Sequence, residues 1–426
     1  MGRETTSTGG RAATTGIIPG KWALSVGKPS TPAPSGFEWT PLSDVARLES
    51  GHTPSRRHEE YWDGGIPWIG IKDATGNHGK VITSTLQTVT QAGLDNSSAR
   101  LLPIGTVCLS RTASVGYVVT MGVPMATSQD FINWVCGPEM SPRYLHYILV
   151  MEQESVRRFA HGTTHQTVYY PEAKAFHVCI PSRREQDRIV SVLGALDDKI
   201  AVNDRIAVTT DQLVSAIFSA LIAGCSAPEE ARIGDVASVN SRSLKPKQEG
   251  TLRYIDISSV GVGSYEWPDQ IDWSDAPGRA RRLAPPGSTV WSTVRPNRRS
   301  HALVLDTDED LVFSTGLAVL TPGSVGSAFL YESTRTQEFQ AYLEGVAEGS
   351  AYPAVRAERF KEAPLLLPTP EEREEFEETA MALRQRAHQA VVESRTLATL
   401  RDTLLPQLMS GRLRVRDAEK IVEDRV

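Results

Sequence analysis

Cysteine is scarce in this 426-residue chain. Cys108, Cys136, Cys179 and Cys225 stand far apart, with no CxxC pair to begin a zinc knuckle or a redox motif, so a reduced setting is expected. Positive charge is not in excess: the net charge is −6, so any contact with nucleic acid must rest on local basic faces or on partner subunits. No unbroken apolar run reaches the roughly 18 residues of a membrane span, and the N-terminus lacks the basic-then-apolar layout of a signal peptide. These absences predict a soluble, cytoplasmic protein. Phosphate-binding and nucleophile motifs are also missing. Gly76-Asn77-His78-Gly79-Lys80-Val81 has the wrong spacing for a phosphate loop, Gly261-Val262-Gly263 is an isolated fragment, and there is no GxSxG elbow. Nor is there the Asn/Asp-Pro-Pro-aromatic signature with which amino-methyltransferases grip a base.

What is present is ordinary globular composition, 40% hydrophobic and 23% charged, in a length that suits about two to four domains. Residues 1–36 are rich in Thr, Ser, Gly and Pro and are expected to be a disordered extension, because they offer little apolar surface against the entropy of ordering.

The strongest signal is a long internal repeat. Gly162 and Gly349 each precede by 19 residues the proline that closes a short apolar strand, His177-Val178-Cys179-Ile180-Pro181 in one half and Pro364-Leu365-Leu366-Leu367-Pro368 in the other, an offset of 187. Ser182-Arg183-Arg184-Glu185 and Thr369-Pro370-Glu371-Glu372 then read as capping boxes, at the same offset. Each opens a heptad stripe. The first contains Ile189, Leu193, Leu196, Ile200, Asn203, Ala207, Thr210, Leu213, Ile217 and Leu221; the second contains Phe376, Ala380, Leu383, Ala387, Ala390, Ser394, Leu397, Leu400, Leu404 and Leu408. Gly224 and Gly411 are expected as left-handed C-caps. Helices of about 60 Å need long partners, and the simplest are each other. Ile189, Leu193, Leu196, Ile200, Leu213, Ile217, Phe376, Leu383, Leu397 and Leu404 are the expected pairing residues.

Upstream the halves correspond more loosely. Leu42-Ser43-Asp44-Val45-Ala46 matches Ile233-Gly234-Asp235-Val236-Ala237, Ile66-Pro67-Trp68-Ile69 matches Leu252-Arg253-Tyr254-Ile255, and Leu102–Val107 matches Ala284–Val290. Loops between the strands of the first half carry Lys72, Ser110, Arg111, Thr112, Gln129, Thr163, Thr164, His165 and Gln166, side chains suited to phosphates and base edges. Between Asn240 and Leu305, ten Lys or Arg stand against six Asp or Glu. The surplus gathers at Arg279, Arg281, Arg282, Arg295, Arg298 and Arg299, with Asn297 among them, and reads as a phosphate-facing patch; pairing with the acidic run Glu371–Glu378 is the alternative. His161 and His165 are four apart, but Gly-Thr-Thr between them argues for a loop, and no metal site is expected.

These features together resemble the specificity subunit of type I restriction-modification systems (the HsdS family). The resemblance rests on Leu42-Ser43-Asp44-Val45-Ala46, Gly51-His52-Thr53-Pro54, the run from Tyr61 to Trp68, the Gly162-Thr163-Thr164 loop, Ile180-Pro181 leading into Glu185-Gln186, and the closing run Leu400–Gly411. It implies an α+β fold with a pseudo-twofold internal repeat: two similar target-recognition domains of mixed β-sheet and helices, separated by two long antiparallel coiled-coil helices. The expected boundaries are 37–181 and 225–368 for the domains, 182–224 and 369–411 for the helices, and 412–426 for a C-terminal tail. It further implies a non-catalytic chain that reads the two halves of a split double-stranded DNA site. It would dock two modification subunits carrying S-adenosylmethionine and, through them, restriction subunits using ATP and Mg, with no cofactor bound by this chain. The alternatives are a self-contained methyltransferase or nuclease with degenerate motifs, or a coiled-coil adaptor that reads no DNA. Two departures stand out: Glu372-Arg373 replaces Glu185-Gln186, and Gly349-Ser350-Ala351-Tyr352 lacks the paired threonines.

Overall fold

Runs rich in valine, isoleucine and aromatic residues become short strands, and the turns between them fall at glycine, proline and asparagine. A computed structural model describes residues 16–160, 166–245, 249–349 and 352–425. Contacts divide the chain into two units, Met1–Lys199 with Thr396–Val426, and Ile200–Arg395.

The first unit runs β1 (Ile18–Pro19), β2 (Leu24–Val26), β3 (Phe37–Pro41), α1 (Leu42–Val45), β4 (Ala46–Ser50), β5 (Trp62–Ile69), α2 (Ile71–Gly76), β6 (Lys80–Ile82), β7 (Gln87–Val89) and α3 (Gln91–Asp95). It continues with β8 (Val107–Ser110), β9 (Val118–Met121), β10 (Ala126–Thr127), β11 (Phe131–Cys136), α4 (Pro142–Met151), α5 (Gln153–Phe159), α6 (Tyr170–Lys174) and β12 (Phe176–Pro181). The strands form sheets of order β4-β11-β8-β9-β6, β10-β5-β7 and β1-β2-β12-β3. Phe131, Ile132, Asn133 and Trp134 are all buried, so β11 is covered on both faces, with its one polar member, Asn133, donating to Thr127 Oγ1 at 2.8 Å.

After the long helix α7 (Arg183–Gly224), the second unit runs β13 (Glu229–Arg232), α8 (Ile233–Val236), β14 (Ala237–Val239), β15 (Thr251–Ile255), β16 (Gln270–Asp272), β17 (Ala280–Arg282), β18 (Thr289–Ser292) and β19 (His301–Leu303). Then come β20 (Leu311–Ser314), β21 (Leu317–Pro322), α9 (Ser327–Ser333), α10 (Gln337–Gly345), α11 (Ala357–Glu362), β22 (Pro364–Leu367), the second long helix α12 (Pro370–Met409) and α13 (Val415–Glu423). Sheets β14-β21-β18-β19, β16-β15-β20-β17 and β13-β22 repeat the first unit's plan. The antiparallel set β4-β11-β8-β9 answers to β14-β21-β18-β19, and the parallel pair β5·β10 to β15·β20. Gly105 and Gly287, which open β8 and β18, both have positive φ, the conformation that glycine adopts without a Cβ penalty.

Residues 16–36, expected to be disordered, are part of the first unit, while 1–15 lie outside the described residues. Strand β2 pairs with β12, and the fully buried carboxylate of Glu152 accepts the backbone N–H groups of Trp22 and Ala23 at 2.6 Å and of Lys21 at 2.9 Å. The segment cannot bury itself; a strand edge and a carboxylate distant in sequence do it. The expected C-terminal tail also folds in part, as α13, with Val415 and Ala418 buried.

Each long helix contributes to both units. In the first unit Ile189, Leu193, Leu196, Leu397, Leu400 and Leu404 are buried, and Arg401 Nη1 donates to Asp197 at 2.9 Å. In the second, Val214, Phe218, Phe376 and Ala380 share a core with half-buried Ile217 and Leu383. There Asn203 Nδ2 donates to Glu393 and Arg384 to Asp211, so residue numbers rise on one helix as they fall on the other, and the segments run antiparallel. Ile200 is half-buried.

Leu213 departs from the expected stripe. It is 47% exposed, and Val214 takes its place at 0%. From buried Asn203 to Val214 the chain advances 11 residues over three turns, the near-straight period of an ordinary helix rather than strict 3.5-residue heptads. Gly411 has the expected positive φ; Gly224 instead ends α7 as an ordinary helical residue. The capping box closes at Thr369 and Glu372, whereas at Ser182 backbone bonds from Glu185 and Gln186 make the turn. Finally, α7 contains an 18-residue window of mean hydropathy 1.6, so one helix is long and apolar enough by composition to cross a membrane. The expectation of no unbroken apolar run holds for this helix, because its apolar residues reach that mean without being consecutive.

Candidate nucleic-acid interface

Strand polarity gathers the expected contact loops of the first unit. Both β4 and β8 run antiparallel to β11, so Ser50, Ser110 and Phe131 share one end of that sheet. Strands β5 and β10 are parallel and finish together at Ile69 and Thr127. Backbone bonds stitch the loops that follow: Ser128 N–H to Ile69 O at 3.0 Å, His52 N–H to Thr127 O at 2.9 Å, Arg111 N–H to Asp130 O at 2.7 Å and Val168 N–H to Arg111 O at 2.9 Å. Gly51 is needed here, because a Cβ would lie 2.0 Å from the Ser128 carbonyl oxygen.

On this end Lys72, Gln129 and Gln166 are exposed. Thr163, Thr164 and His165 lie outside the described residues, as does His161. Ser110 is not available for a ligand: it is buried, with Oγ donating to Ser114 O and accepting from Tyr117 N–H at 2.8 Å. Thr112 Oγ1 donates to Asp130 at 2.6 Å and so fixes one loop to another. Arg111 is also a brace, donating to Val168 O and Gln129 O at 3.1 Å each, with its guanidinium 4.9 Å from the Tyr170 ring centre. Polar residues beside a strand end satisfy the loop backbone first, which spacing alone does not reveal.

Half-buried Thr53 and exposed Arg56 add to this end without having been named as contact residues. Thr53 donates to Gln129 Oε1 at 2.5 Å, and the exposed Arg56 lies over Trp62, 3.5 Å from the ring centre, while bonding Gln87. The Gly51-His52-Thr53-Pro54 motif marked this loop but not the stacked arginine beyond it.

The second unit builds the same end. Thr293 N–H bonds Gly316 O, Thr315 N–H bonds Arg279 O, and Val355 N–H bonds Thr293 O at 2.8 Å, the counterpart of Val168 on Arg111. The offset of 187 thus recurs in Val168 and Val355, which follow the two glycine loops in sequence. After β18 the chain makes a tight turn between Arg295 and Arg299, both with positive φ. Asn297 and Arg298 are exposed at its tip. Arg295 lies 4.7 Å from the ring centre of exposed Tyr352, which closes the Gly349–Tyr352 run that lacks the paired threonines. Arg299 turns inward and donates to Arg335 O at 2.7 Å, so it leaves the expected patch. Arg279 is exposed and Arg281 half-buried. Within Glu371–Glu378, Glu372 caps Thr369 and Glu377 accepts from Ala328 and Phe329 N–H, so these two acids serve helix starts.

Each unit also buries a histidine in its interior. His146 shares a 2.8 Å hydrogen bond with Thr120, and burial pushes its pKa down to about 4. His301 stacks on Trp291 at 4.7 Å and is likewise pushed down to about 4 by burial. Both stay neutral as scaffold.

Residues 34–208 match the family model described as the type I restriction modification DNA specificity domain. Over these residues the chain is similar to that specificity-domain family. It is 30% identical over 169 residues to the specificity subunit of the type I restriction enzyme MjaIX of Methanocaldococcus jannaschii, covering 39% of each chain. With the HindI specificity subunit of Haemophilus influenzae it shares 25% over 196 residues, 44% of this chain and 42% of the relative. These alignments span about two fifths of the relatives' length. The type I restriction-modification S subunit from M. genitalium shares the fold, with a TM-score of 0.57 and 17% identity over 89% of this chain and 98% of the other. The matched specificity domain includes the first unit's stitched loop end; the second unit's likeness is one of fold.

Proposed function

We propose that this chain is the non-catalytic DNA-reading subunit of a type I restriction-modification complex, with each loop end reading one half of a split double-stranded site. The observation that carries this reading is the duplicated loop end. Each is braced by backbone bonds and presents exposed amide and guanidinium groups, Gln129 and Gln166 in one and Asn297 and Arg298 in the other. Arginine suits guanine O6/N7, glutamine and asparagine suit adenine N6/N7, and phosphate contacts set the register. In this reading two modification subunits dock on the long helices and bring S-adenosylmethionine, and restriction subunits using ATP and Mg join them.

The test is methylome sequencing of a host carrying this chain with its modification subunit. Exchanging residues 225–368 for those of another specificity subunit should change one half-site and leave the other intact. A motif altered in both halves, or methylation by this chain alone, counts against the proposal.

A further inference from the structure

We propose that the free edge of β22 in the second unit is a strand-addition site for a partner polypeptide: an extended segment with apolar residues at alternate positions and lysine or arginine between them. The argument comes from comparing the two units. In the first, β12 is paired on both edges, with β3 on one side and β2 on the other. In the second, β22 pairs with β13 alone among the described residues. The missing strand is the counterpart of β2.

The backbone is oriented to receive it. Cys179 N–H donates to Ala23 O at 2.9 Å in the first unit. Its counterpart at offset 187 is Leu366. Ile233 N–H bonds Ala363 O, and Glu230 lies opposite Leu366, so strand alternation turns the Leu366 N–H and C=O away from β13. Pro364, next on the same edge, has no N–H to satisfy. In the first unit the segment leading into β2 also meets α5, since Lys21 N–H bonds Ser155 Oγ at 3.0 Å. In the second, the space between α10 and β22 is a cavity of about 780 Å³, with Phe218, Ile222, Tyr342 and Leu365 among its lining residues. Half-buried Ile222 answers to Met409, which is fully buried in the first unit, while Phe218 is buried like its counterpart Leu405.

The cavity's chemistry differs from the filled one and selects a different occupant. Thr336 stands at the place of Glu152, and its Oγ1 already accepts from Phe339 N–H at 3.1 Å, so no carboxylate waits for a tight backbone turn like that at Lys21–Leu24. Asp235 accepts from Arg232 N–H and Glu362 pairs with Arg359. The other lining acids, Glu230 and Glu338, are exposed. An apolar floor, an unmet N–H and C=O, and two flanking carboxylates favour a basic, alternating strand.

The test uses the full chain and two capped peptides, lysine–valine–lysine–leucine–lysine–valine and its glutamate counterpart. The basic peptide should bind one per chain and slow hydrogen exchange across 364–367, with the acidic one about tenfold weaker or worse. Leu366→Pro removes an outward N–H and a 40% exposed side chain, a change an edge strand tolerates, and should abolish binding with the melting temperature kept within a few degrees, whereas Leu366→Ala, which keeps the N–H, should retain protection of 364–367. The double variant Glu230→Lys, Glu338→Lys should weaken the basic peptide and strengthen the acidic one. Equal binding of both peptides, or no protection of 364–367, would overturn the proposal. So would self-association of the chain that Leu366→Pro abolishes, which would assign the edge to a second copy. DNA reading is measured separately and is unaffected by any of these outcomes.

Discussion

Arg298 and Arg299 are neighbours with opposite surroundings. Arg298 projects from a turn whose two ends carry left-handed φ, while Arg299 folds under to bond the Arg335 carbonyl. Arg298→Ala should therefore weaken DNA binding by the assembled complex severalfold and lower the slope of log affinity against log salt by about one. Arg299→Ala should instead cost about 1 kcal/mol of stability with little change in that slope. Fluorescence anisotropy across a salt series, paired with denaturant melts, separates the two. Equal salt slopes for both variants would show the turn is misassigned. The sequence showed both as members of one basic run, because sign of charge is local information and direction of a side chain is not.

At the scale of elements, the long helices were legible almost to the residue: Arg183–Gly224 and Pro370–Met409 lie within two residues of the expected ends. Where the stripe shifts, at Leu213 and Val214, one position decides which side chain is in the core. Val214→Ala should cost about 1–3 kcal/mol and Leu213→Ala under about 0.5, read as denaturant midpoints. A larger loss at Leu213 would place the stripe where heptads put it. The same second-unit helix segments carry an ionic cluster that no pattern announces. Arg384 and Arg335 both bond Asp211, and both reach Glu332. Burial opposes the charge of Asp211, but bonds from the two arginines outweigh it and hold its carboxyl below the usual range. The departure at Arg373 also resolves at this scale. Gln186 Nε2 donates to Pro181 O at 3.1 Å, and Arg373 Nε donates to Pro368 O at 3.2 Å, so different side chains close the same strand-to-helix turn.

At the scale of the whole molecule, among the described residues His146 in one unit and His301 in the other are buried histidines with a pKa near 4 against about 6.5 unfolded. The unfolded chain then takes up these protons first as pH falls, so stability is level above about 6.5 and declines towards 4. At pH 5 the loss should be roughly 2 kcal/mol per unit. Denaturant midpoints at pH 7.5 and 5 measure it, and His146→Gln should remove the first unit's share. An unchanged acid loss in that variant would assign the effect to other groups.

The amino-acid order by itself determined the duplication, the helix spans and the loops that follow the strands, because periodicity, caps and turn residues act over short distances along the chain. Folding in three dimensions decided the rest. Residues 16–36 found a strand edge and the Glu152 carboxylate, Ser110 and Arg111 were taken up by neighbouring loops, and among the described residues β22 was left with one edge unpaired. Each outcome depends on which distant backbone groups meet, and hydrogen-bond satisfaction across such distances is fixed only when the strands come together.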